Sequence, residues 1–160
     1  MAYRIRGLDR GPFEELFALD KVALAARRAE RVVASSDGGY PCRISLEDAK
    51  EGERLLLVHH VHHAVETPYR SSFAIFVREM AMRPAEFVDA CPPVFAGRPL
   101  SLRGFSESGK LSAATLVAGD GADGAIRAML FADPEIAYID AHNAAHGYFA
   151  ARIERHGEAA

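Results

Sequence analysis

The sequence predicts an α+β fold, a mainly antiparallel sheet or open barrel-like sheet with a few short helices packed on it. Two observations predict it. Segments rich in aliphatic, β-branched and aromatic residues greatly outnumber segments with helical spacing, and turn residues separate them at short intervals. The helical segments are also too short to serve as the repeated crossovers of a parallel sheet. With 160 residues, 49% of them hydrophobic, the chain can build one real core, so residues 1–160 read as a single domain.

Residues 3–7 (YRIRG) alternate and form a short strand. Gly11-Pro12 opens a short helix, PFEELFAL, with Pro in its first turn and Glu14 and Glu15 near its positive end. Asp20 caps a second helical segment, KVALAARRA. Residues 31–35 (RVVAS) read as a strand, Ser36-Asp37-Gly38-Gly39 as a turn and residues 40–44 (YPCRI) as extended. Ser45 caps a single turn that Glu51-Gly52 ends. Over residues 80–99, four prolines make the chain irregular, with a short helix expected over 85–90. LSLRGF and LSAATLV are strands around the turn SESGK. Residues 122–131 have helical spacing, which Asp133-Pro134 stops. Residues 135–142 and 148–154 are two further strands joined by NAAHG.

The densest chemistry lies in residues 54–78, RLLLVHHVHHAVETPYRSSFAIFVR. Leu55 to Val58 form an apolar run with no helical period, and FAIFV is a second strand-like run. The connection between them is too long for a tight turn, and such connections are more often functional. Four histidines stand where the first strand enters it. Strand alternation puts His60 and His62 on one face and His59 and His63 on the other.

Composition excludes several classes. A net charge of −3 gives no support to nucleic-acid binding. Two cysteines with no CxxC spacing make no disulfide framework. No apolar run approaches a membrane span, and residues 1–11 lack the apolar core of a signal peptide. A cytoplasmic protein is expected.

The segments GYPCRISLEDAKEGERLLL, HHAVETPYRSSFAIFVRE and ADPEIAYIDAHNAAHGYFAARIER resemble a bacterial family described only as domain of unknown function 1203. The resemblance covers most of the chain, and TPYRSSFAIFVRE is its most specific part. The family pattern commonly carries a cysteine where this chain has Tyr148, a departure that removes a thiol role at that position. The resemblance implies no activity and no cofactor.

The residues themselves support two kinds of site. In the first, a small anionic ligand is gripped by Tyr69, Arg70 and Ser71, with Arg43, Arg103, His142 and Asn143 converging from other strands. His62 or His63 would then act as general acid or base. In the second, His60, His62 and Glu66 match HxHxxxE, the core of a cupin motif, and bind a divalent metal with His142 or His146 as the further ligand. Asp140 would orient that histidine from behind. A third expectation has no chemistry at all, the same surface serving as an interaction module that binds a protein or closes a homodimer. Gly119 to Gly124 spells GxGxxG, but Asp120 and Asp123 would put negative charge into a phosphate cradle, so the glycines read as a polar turn. Cys42 beside Arg43 reads as a small buried residue rather than a nucleophile.

Overall fold

The computed structural model describes residues 2–157. In chain order these are β1 (Ala2–Arg6), α1 (Lys21–Ala26), β2 (Ala29–Val33), β3 (Arg54–His63), β4 (Ser71–Arg78), β5 (Glu86–Val88), β6 (Pro99–Phe105), β7 (Leu111–Ala118), α2 (Ala122–Ala132), β8 (Tyr138–Asn143) and β9 (Phe149–His156). A 3₁₀ helix, Gly11–Ala18, precedes α1. The strands form two antiparallel sheets, one ordered β5-β1-β9-β8-β6-β7 and the other β2-β3-β4. Neither closes into a barrel, and the fold is α+β as the sequence predicts. No helix among the described residues is long and apolar enough to cross a membrane.

Each sheet buries one face. In α2, Ala122, Ile126 and Leu130 recur every four residues, so they form one stripe. That stripe packs on Ile5, Leu100, Leu102, Ile139 and Ile153 of the larger sheet. Each such fully buried aliphatic side chain contributes about 1.5–3 kcal/mol. The smaller sheet buries Leu56, Val58, Ile75 and Val77 under Phe13, Leu16, Leu24, Cys42 and Ile44. Asp20 caps α1 by accepting from the Ala23 N–H at 2.8 Å.

Three expectations change in detail. Residues 86–88 form a strand, not a helix, because β1 offers them an edge and pairs Arg4 with Val88. Residues 133–136 form a turn closed by the Ile136 N–H on the Asp133 carbonyl, so β8 starts only at Tyr138. The glycine at 119 answers to packing, since a Cβ there would collide with the Phe95 carbonyl oxygen.

The other face of the larger sheet is polar, and register fixes which residues share it. Arg103, Asp140 and Arg152 lie in one row across β6, β8 and β9. Ser101, His142 and Phe149 lie in the next. The far end of β3 comes down on this face, and the candidate site is built at that meeting.

Candidate functional site

Two bulges shape the meeting. The β3–β4 register slips between His60 and His63, and the β8–β9 register slips between Ala141 and His142. A bulge inserts one extra residue and re-aims its neighbours. Strict alternation would separate His62 from His63. Here His63 is buried and His62 half-buried, while His59 and Val61 remain exposed.

His62 stacks flat on Phe149, with ring centroids 5.1 Å apart and planes 5° from parallel. Its ring meets His142 edge-on at 5.0 Å. One donor atom each from His62, Asp140 and His142 lie within 4.8 Å of one another. Other groups fix each member. The His142 Nδ1–H donates to the Gly147 carbonyl at 3.0 Å, leaving the Nε2 lone pair free. Gly147 can make that turn because its φ is +80°, a value that costs glycine nothing. Asp140 has no exposed surface, and Arg152 donates to both its oxygens, Nε at 2.8 Å and Nη2 at 3.1 Å. Each oxygen keeps a second lone pair. Arg152 also donates to the His62 carbonyl at 3.2 Å and lies 4.2 Å over the Tyr138 ring. One guanidinium therefore ties the end of β3 to the larger sheet.

The electrostatics follow from burial. His62 is pushed down to about 3, first by desolvation and then by His142, His60, His63 and Arg103. His142 is also lowered, chiefly by desolvation. Both imidazoles are neutral near pH 7, the form that coordinates metals.

Polar accounting fails in one neighbourhood. Among the described residues, three buried side-chain atoms have no hydrogen-bond partner, namely His62 Nδ1, Arg43 Nη2 and Asn143 Oδ1. All three residues touch the start of β9. His62 stacks on Phe149, Arg43 Nε donates to the Phe149 carbonyl at 2.8 Å, and Asn143 N–H donates to the Tyr148 carbonyl at 2.8 Å. Buried polar atoms are normally paired, so such a cluster needs a physical account.

The residues expected from sequence do not form one pocket. His62 and His142 come together, and Arg103 is close enough for its charge to act on both. His60 turns instead towards Phe13, with ring centroids 5.8 Å apart. The Glu66 side chain is 97% exposed and pairs with Arg70 at 3.3 Å, so the HxHxxxE set does not assemble. The reason is local, because residues four apart on a short loop satisfy each other first. Arg70 is half-exposed on that loop and does not face the histidines' meeting point. The Ser71 hydroxyl donates to the Tyr69 carbonyl at 2.8 Å. His63 has both nitrogens engaged, with Nδ1 2.8 Å from the Tyr69 carbonyl and Nε2 2.7 Å from the Tyr138 hydroxyl, and so holds the loop in place. His146 stacks on Tyr148 away from the triad. Cys42 is fully buried and its sulfur accepts from the N–H groups of Ile44, Ser45 and Arg78.

Sequence reasoning missed two members. Asp140 was assigned a supporting place behind the histidine, yet Asp140-Ala141-His142 has the same period-two spacing as His60-Val61-His62. That spacing was the available signal. Arg152 carried none, since RIER reads as an ordinary strand. The family model described as Protein of unknown function (DUF1203) matches residues 39–155. No curated protein and no solved structure matches the chain.

Proposed function

The chain belongs to this family of unknown function, whose name transfers no activity, and from the geometry we propose that it binds a divalent first-row metal through His62, Asp140 and His142. The observation that carries the reading is that one donor atom each from His62, Asp140 and His142 lie within 4.8 Å of one another, in a neighbourhood where the buried His62 Nδ1 has no hydrogen-bond partner. A buried nitrogen without a hydrogen-bond partner is costly, and a metal bonded at about 2.1 Å would satisfy it. Donors on one ion are about 3–4.3 Å apart, so the three need to draw in only slightly. Two imidazoles and a carboxylate suit zinc, iron, manganese or nickel. Three protein donors, rather than four, is the pattern of a metal that keeps a position open for an exogenous molecule. A metal so held polarises an oxygen bound to it. The Gly147 carbonyl and Arg152 support this reading from behind, the first by fixing the His142 tautomer and the second by orienting Asp140.

The test is elemental mass spectrometry on untagged protein purified without chelator. Near-stoichiometric metal is expected in the parent, with loss in His62→Ala and in His142→Ala. The Glu66→Ala variant should keep its metal, because Glu66 is far out on the surface. Protein that is metal-free, and whose melting temperature ignores added zinc, manganese and nickel, sinks the proposal.

A further inference from the structure

Resting on the metal reading, we infer that the centre takes its metal together with a small anion, a carboxylate or similar oxyanion, held between the metal and the Arg103 guanidinium. The argument starts from unbalanced charge. Arg103 faces the same side of the sheet as Asp140 and His142, as its register opposite Asp140 requires. Its only hydrogen bond among the described residues is from Nε to the Ser101 hydroxyl at 3.2 Å, and it makes no ion pair. Three other half-buried arginines behave differently. Arg78 pairs with Glu53 and Glu47, Arg98 with Asp48, Arg152 with Asp140. Asp140 does not serve Arg103 as well, since its ion pair is with Arg152, through both its oxygens.

Asp140 and Arg152 cancel, and the positive charge of Arg103 remains. A divalent cation entering such a site is repelled, and the repulsion is strong where water is partly excluded. An anion lying between the two cations removes it. Arg103 is suited to that place, since its two terminal nitrogens are uncommitted and form a planar fork that matches an oxyanion. The open metal position supplies the anion's other partner. Metal and anion therefore bind with positive coupling, and linkage makes the effect mutual, each tightening the other by the same factor.

The experiment measures zinc affinity by competition with a chromophoric chelator, in a perchlorate medium, with and without millimolar acetate. In the parent protein, acetate should tighten zinc about ten-fold, within the usual range of coupling between two sites. Arg103→Gln should abolish that dependence and bind zinc in plain perchlorate at least as tightly as the parent. Arg103→Lys keeps the charge and loses the fork, so it should retain part of the coupling. If the parent binds zinc but acetate changes nothing, the inference falls and the metal reading stands. If acetate tightens zinc equally in parent and Arg103→Gln, the anion sits elsewhere and the assignment to Arg103 is overturned. If the parent binds neither zinc nor, in the same assay, manganese or nickel in either medium, both fall together.

Discussion

Arg78 and Arg103 are both half-buried strand arginines, yet they are treated in opposite ways. Arg78, at the end of β4, donates to both Glu53 oxygens at 2.6 and 2.9 Å, to Glu47 at 2.7 Å and to the Ser45 hydroxyl at 3.1 Å. Its charge is cancelled, and it staples the segment after β2 to the smaller sheet. Arg103 has one neutral hydroxyl. Arg43 makes the contrast sharper. It is fully buried, its partners are the Phe149 and Pro41 carbonyls, and burial lowers it to about 10. A fold that only needed stability would neutralise or replace such charges. Arginines with matched carboxylates mark where the chain is fastened. Arg43 and Arg103 have no such carboxylate, and Arg43 reaches the start of β9, where the orphan polar atoms also lie.

The largest effect expected from that contrast belongs to Arg43. Arg43→Ala removes the donors to two buried carbonyls and leaves a void, so it should cost about 3 kcal/mol in denaturant unfolding. Loss below about 1 kcal/mol would mean those carbonyls find other partners, and Arg43 would not be holding β9. Next comes the staple. Arg78→Ala should cost about 2 kcal/mol, because it leaves Glu53 partly buried without its cation. The pH dependence checks the same pair. Hydrogen bonding from Arg78 holds Glu53 below its ordinary 4.5. A depressed carboxyl stabilises fully above its unfolded value and loses that contribution as pH falls through the folded one. The penalty of Glu53→Gln should therefore be large at about pH 6 and shrink towards about pH 3. A pH-independent penalty would show that Glu53 acts through shape rather than charge.

The staple and the site also differ in how much of each was legible in the sequence. The strands around Arg78 are continuous apolar runs, and Asp20 announces its helix by its own side chain, so local chemistry sufficed. The 86–88 segment misled because three residues carry no period, and its partner β1 is some eighty residues away. The strand order, with β1 between β5 and β9, is non-local for the same reason. At the site, His62 and His142 were found because histidine is a scarce and chemically marked residue. Glu66 attracted the HxHxxxE reading through spacing alone. The β3 bulge then turned His62 and His63 inward together, and Arg70 drew Glu66 outward. A bulge follows from how two strands fit each other, and neither strand's own sequence states it.

The smallest expected effect on stability is the most discriminating. Arg103→Gln removes a charge that no carboxylate in the described residues answers, so in metal-free protein its unfolding free energy should move by less than about 0.5 kcal/mol. Below about pH 6 the change should lean towards stabilisation, since there the Arg103 charge opposes protonation of His62 and His142. Measured in chelator beside Arg78→Ala, the pair gives a direct ratio. A fourfold or greater gap is the signature of one arginine that fastens the fold and another kept for a ligand. Equal penalties would give Arg103 a structural partner and erase the distinction on which the anion site depends.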